Sequence, residues 1–321
     1  MFNYLLTNNS FFKESVSQNL YLICGVILFY LVLFPAHAAT KDYSDRHQIV
    51  LKPDKFYCLT HFVEIDDLFF VVDCYNNRVL YSDSLEKPPG QWHVLDSTLS
   101  WPHSIAGDGE FFIVDDSYAD KISIYQRTES GFKKLTKFFE VGKRPHRVIY
   151  DSVTQAFYAL SSLSQTMTKI KNKDGKLEII HTRKLPYLGG HYTRSFSISG
   201  QYMYFVSGPG KISKAAYIDG NYSLVRAYSV PATYRDMIDI IYFGGKYYIT
   251  AIRNIILECE ELEDIETSAC KNIYKENKFQ GVPYYFTQIG QDLYVTSLGS
   301  DNVLKFVTDM EKHKARTVTN N

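Results

Sequence analysis

From residue 56 onward, short runs of apolar and aromatic residues alternate with tight polar clusters. The clearest example is Trp101 to Asp116. A first run, Ser104-Ile105-Ala106, meets a turn at Asp108-Gly109, and a second run, Phe111-Phe112-Ile113-Val114, ends in Asp115-Asp116. β-Branched and aromatic residues suit a half-buried pleated surface, and Gly and Asp punctuate it, so the stretch predicts a hairpin of two strands. The pattern returns upstream at Thr60 to Asp73. Downstream it returns at Pro145 to Asp151 (rejoining at Phe157 to Leu160), at Arg194 to Tyr204, and more weakly at Asp239 to Tyr248 and Tyr285 to Val295.

These six copies align. His61, His103, Arg194, Asp239 and Tyr285 each lie eight residues before an aromatic or leucine anchor: Phe69, Phe111, Tyr202, Tyr247 and Leu293. His146 lies eleven before Phe157, so that copy carries a longer turn. Successive leading positions are 42, 43, 48, 45 and 46 residues apart. A period in this range with several short strands per repeat is the signature of a propeller blade. The expected fold is all-β, a six-bladed β-propeller spanning residues 40–321. Its last blade holds only three strands, and the lone strand Ile49-Val50-Leu51 is expected to complete it and hide the open edge.

The segment after the second strand of the first copy reads Val72-Asp73-x-x-Asn76-Asn77-Arg78-Val79. It resembles the NHL repeat, a blade unit of six-bladed propellers. Looser versions stand at Val114 to Ile122 and at Val295 to Val303. The resemblance implies fold and is nearly silent on function. Asp73, Asp115 and Asp116 sit at turn positions and read as structural caps.

Composition narrows the picture. Lysine plus arginine and aspartate plus glutamate both number 35, so net charge gives no case for a nucleic-acid partner. Tyr (26) and Phe (21) far outnumber Trp (2), which supports strands. Residues 20–34 are almost wholly apolar and lead into Ala36-x-Ala38. Residues 1–39 therefore read as a secretory signal peptide or as a retained membrane anchor, the only link to a membrane. Either way the chain is exported, periplasmic or secreted. Of five cysteines, Cys58, Cys74, Cys259 and Cys270 belong to the folded part. Cys58 and Cys74 face each other across the first hairpin and Cys259 and Cys270 flank a loop, so two disulfides are expected, Cys58–Cys74 and Cys259–Cys270.

In a propeller the innermost strands line a channel, so one repeat position forms a ring: His61, His103, His146, Arg194, Asp239 and Tyr285. Three neighbouring imidazoles suggest a divalent metal, zinc first among them, with Arg194, Asp239 and Tyr285 as catalytic partners for anion binding, base and proton donation. Trp101-Pro102-His103-Ser104 and Arg144-Pro145-His146-Arg147 also resemble the Pro-His blade starts of the peptidyl-hydroxyglycine amidating lyases. That resemblance implies zinc-binding roles for His103 and His146. Two functions stand: a binding or scaffold propeller for a peptide, glycan or protein partner, or a metal-dependent lyase or hydrolase with a three-histidine channel site.

Overall fold

The structure is a computed structural model that describes residues 55–208, 210–276, 279–299 and 303–306. The expected signal or anchor at 1–39 and the expected closing strand at 49–51 lie outside the described residues.

The first sheet contains β1 (Leu59–Ile65), β2 (Leu68–Asp73), β3 (Arg78–Ser82) and β4 (His93–Asp96). The second contains β5 (Ile105–Gly107), β6 (Phe111–Asp116), β7 (Lys121–Thr128) and β8 (Gly131–Phe138). The third is built from β9 (Pro145–Asp151), β10 (Ala156–Ser161), β11 (Thr166–Lys173) and β12 (Lys176–Lys184). In the fourth are β13 (Thr193–Ser199), β14 (Tyr202–Ser207), β15 (Lys211–Ala216) and β16 (Ser223–Ser229). The fifth has β17 (Met237–Phe243), β18 (Lys246–Ala251), β19 (Ile255–Cys259) and the short β20 (Lys271–Asn272). The sixth has β21 (Val282–Ile289), β22 (Asp292–Leu298) and β23 (Val303–Phe306).

Every sheet is an antiparallel meander in sequence order. The fold is an all-β propeller. Among the described residues it has five complete four-stranded blades, not the six expected, and the last sheet stops at three strands.

Apolar side chains on the two faces of each sheet pack against the neighbouring sheets. Phe70 and Phe112, with ring centroids 5.2 Å apart, join sheets one and two. Ile113 and Phe157 belong to the core between sheets two and three. Leu160 and Phe196 belong to the core between sheets three and four, and Ile212 and Ile249 to that between sheets four and five. Tyr248 and Phe286 join five to six. Phe62 and Tyr294, 5.6 Å apart, bring sheet six back to sheet one. Large aromatics dominate because each buries much apolar area.

The NHL-like turn has a physical basis. Asn77, Asp120 and Gln165 occupy the same place between second and third strands, all with φ of 53–54°. Asn and Asp tolerate this left-handed conformation best. Asp73 is fully buried. Its carboxylate accepts from the amides of Tyr57 (2.9 Å) and Cys58 (3.1 Å) and from Arg78 Nε (2.9 Å). Asp116 accepts from Ser100 N at 2.7 Å and pairs with Lys121 at 2.9 Å. Asp115 accepts from the amides of His103 (3.0 Å) and Ser104 (2.5 Å), and this explains why β5 is so short. A carboxylate takes over hydrogen bonds that a ladder would otherwise make.

Cys259 and Cys270 form the expected disulfide. Cys58 and Cys74 correct the other expectation. They do face each other, with Cys74 N donating to Cys58 O at 2.9 Å, but both are free and buried. Burial, reinforced by Cys58, pushes the Cys74 thiol well up, which suppresses the thiolate that disulfide exchange requires. Alkylation of the unreduced, denatured protein should therefore label Cys58 and Cys74, with Cys259 and Cys270 labelled only after reduction. Failure of Cys58 and Cys74 to react before reduction would show that they pair.

Candidate functional site: the central channel

The inner strands place one residue each opposite the fifth residue of the neighbouring second strand. These are His61 (facing Val72), Arg147 (Leu160), Ser195 (Val206) and Asp239 (Thr250). Ser104 and Tyr285 complete the set through bonds to Asp115 N and Thr296 Oγ1. The structural ring is thus His61, Ser104, Arg147, Ser195, Asp239 and Tyr285. His61, Asp239 and Tyr285 stand at this register position. His103, His146 and Arg194 stand one residue early, in a second layer. The cause is the choice of anchor. Phe111 and Tyr202 are the first residues of their strands, whereas Phe69, Tyr247 and Leu293 are the second. In sheet three the loop 152–155 is two residues longer than the others, not three.

Tyr285 separates the two layers. It is fully buried and reaches across from sheet six. Its hydroxyl lies 2.6 Å from His146 Nδ1, 3.0 Å from the His146 carbonyl and 3.3 Å from the Arg194 carbonyl. The Arg147 guanidinium sits over its ring, 4.3 Å from the centroid, and His61 meets it edge-on at 5.9 Å.

In the second layer His103 stacks on His146 with centroids 3.9 Å apart. His103 Nδ1 lies 3.0 Å from Ser117 Oγ, and its Nε2 lies 3.9 Å from Cys74 Sγ. Arg194 is half-buried and lies over the Tyr192 ring at 5.1 Å, which Arg144 also approaches at 5.5 Å. Burial, then the neighbouring His103, Arg194 and Arg144 charges, holds the His146 imidazole well below its ordinary range.

On the other side of Tyr285 lies a cavity of ≈ 400 Å³, lined by inner-strand residues of every sheet, among them His61, Arg147, Ser197 and Asp239. His61 Nδ1 accepts from Ile105 N at 3.2 Å, which puts the proton of the neutral ring on Nε2. Burial, and then Arg147, depresses this imidazole too. Asp239 accepts from Ser195 Oγ at 2.6 Å and Phe286 N at 2.8 Å. Burial raises its pKa, against the pull of Arg147 and of those hydrogen bonds.

The expected zinc ligands do not fit one another. His61 belongs to the cavity layer, His103 and His146 to the packed layer beyond Tyr285, and four of their ring nitrogens already meet protein partners. Among the described residues no group of three His, Cys, Asp or Glu side chains is placed to hold a metal ion. Arg194 and Asp239 likewise sit in different layers, and the Tyr285 hydroxyl is tied to sheets three and four. Arg147 and Ser197 were missed. Arg147 stood inside the Pro145-His146-Arg147 motif and needed only a one-residue shift of register to be found.

No family model matches the chain, and no curated protein matches it. Solved structures do. A candidate 6-phosphogluconolactonase from Bacteroides fragilis superposes with a TM-score of 0.58 at 13% identity, over 78% of this chain and 80% of that one. Another from Bacteroides uniformis gives 0.57 at 13% identity, over 77% and 80%. Hydrazine synthase from Kuenenia stuttgartiensis gives 0.56 at 16% identity, over 84% and 82%. At such identities these likenesses establish the β-propeller fold and nothing of activity.

Two predictions follow from the layers. Tyr285→Phe leaves His146 Nδ1 and two buried carbonyls without the hydroxyl, and should cost about 1–3 kcal/mol in urea denaturation. Tyr118→Phe, at a side chain 72% exposed, is the control and should cost nothing measurable. The second concerns pH. Both His61 and His146 are held below their ordinary value of 6.5 in the folded chain. Above that value both rings are neutral in both states. As pH falls through it, the unfolded chain binds protons that the folded chain refuses, so stability drops. The slope is up to about 1.4 kcal/mol per pH unit for each histidine. Urea titrations between about pH 7.5 and about pH 5.5 should show this loss, and His61→Gln should flatten the slope by up to one proton's worth.

Proposed function

We propose that this chain is an exported, six-bladed propeller of NHL type that works as a binding module, taking its peptide, glycan or protein partner at the mouth of the central channel. The observation that carries the reading is the cavity of ≈ 400 Å³ on one side of Tyr285. A concave site with mostly apolar walls and a few convergent polar groups is the ordinary form of a ligand pocket.

The polar groups favour holding over catalysis. Each oxygen of Asp239 already accepts a hydrogen bond, from Ser195 and Phe286, and the Tyr285 hydroxyl is committed across the channel. A general base or acid must reach its substrate proton, and neither group is free to do so. Sheet six supports the sixth blade, because it packs against sheet one. The Cys259–Cys270 disulfide and the apolar run at 20–34 support export.

Thermal-shift screening of peptides, oligosaccharides and small organic acids should give ligands that raise the melting temperature of the wild type. Ile198→Trp, which fills the cavity from its wall, should abolish those shifts. Ligands that stabilise both proteins equally would move the binding site away from the channel.

A further inference from the structure

Within the cavity two side chains are chemically unfinished. Arg147 is 7% exposed, and its Nε and Nη1 have no hydrogen-bond partner. A guanidinium stays charged at any ordinary pH and carries five N–H donors. Leaving such donors buried and unmade is costly. The other deeply buried arginine, Arg78, meets Asp73 at 2.9 Å. Among the described residues Arg147 has no ion pair. Its close contact is the Tyr285 ring, and a cation–π contact uses none of its N–H groups.

Nor does a nearby carboxylate complete it. Asp239 lines the same cavity but is turned to Ser195 and Phe286. Asp151 is held by Thr154 and Tyr217. Glu64 is half-buried on the wall of sheet one. A second orphan lies on sheet four: Ser197 Oγ is buried, has no partner and lines the cavity too. Around these two groups the walls are apolar, with Ile105, Ile149, Ile198, Ile240 and Phe286.

We infer that the cavity binds a small organic monocarboxylate, its carboxylate on Arg147 and Ser197 and its apolar body against the isoleucines. Arginine is suited to planar oxyanions, and a buried charge-assisted bond is among the stronger polar contacts. Glu64 and Asp239 set the charge limit. With two acidic groups on the same walls, each added ligand charge meets more repulsion, so inorganic phosphate is disfavoured relative to a monocarboxylate. The apolar walls disfavour small hydrated anions for the same reason that they suit a hydrocarbon body. This inference rests on the channel being the binding site.

Calorimetric titration of the full chain with a series of monocarboxylates from acetate to isovalerate and phenylacetate tests it, beside isovaleramide and inorganic phosphate. Affinity should rise with the apolar body. The amide and phosphate should bind at least about tenfold more weakly than isovalerate. Arg147→Met should lose at least about tenfold, Arg147→Lys should recover part of that, and Ser197→Ala should lose a few-fold, all in chains shown folded by circular dichroism. No saturable binding by any carboxylate would overturn the inference. So would isovalerate and isovaleramide binding alike with no effect of Arg147→Met. That last result would leave the channel as a binding site and remove only the carboxylate. Loss of the Ile198→Trp effect removes the channel itself.

Discussion

The channel depends on one tyrosine that reaches from sheet six to the strands opposite. Tyr285 hydrogen-bonds at the start of β9 and β13, carries Arg147 over its ring and meets His61 at its edge. Six inner strands that converge on an axis leave a gap too wide for their own backbones to fill. A long side chain with a polar tip can cross it, burying its ring and satisfying carbonyls at the far side. The crossing divides the channel unequally. One part is packed with His103, His146 and Tyr284, and the other is open as a cavity. Tyr285 thus stands between the packed part and the cavity.

Much of the fold was legible in the sequence, because its causes are local. Alternating apolar runs, Asp-Gly turns, and a period near 45 residues are enough to count sheets and order their strands. Sheet six was legible in its three described strands. The channel was less so. A propeller ring is read correctly only if every hairpin is in register, and a one-residue slip exchanges one layer for the next. Taking Phe111 and Tyr202 as anchors exchanged Ser104 and Ser195 for His103 and Arg194. Histidines drew attention toward a metal, while the orphaned guanidinium of Arg147, one residue beyond His146, carried the stronger signal. Pairing of Cys58 with Cys74 was half legible: the strands do oppose them, yet opposition of backbones says nothing of how burial holds a thiol protonated.

The buried carboxylates show why so many inner-strand starts are irregular. The β1, β9, β13, β17 and β21 ladders all slip near their first residues. Where the strands crowd the axis, backbone pairing fails, and side chains supply the missing acceptors. Asp73 serves Tyr57 and Cys58, Asp115 serves His103 and Ser104, and Asp239 serves Phe286 on the next sheet. Each of these aspartates holds an inner strand at the height where its side chains meet the channel. Conformational precision at the axis is thus set by charge-assisted bonds and not by the sheets alone.

The return of sheet six to sheet one has a temporal side. Thr287 donates to the Phe62 carbonyl across 225 residues, and Phe62 packs on Tyr294. The hairpins are local and can form as the chain leaves the ribosome, but this seam joins the first sheet to the last. Until the C-terminal strands emerge, the aromatic face of sheet one has no cover and behaves as sticky surface. Closing so long a loop is also entropically slow. The ring thus makes its first-synthesised blade wait longest for its partner, and a nascent chain stalled before β21 is the species that quality control would meet.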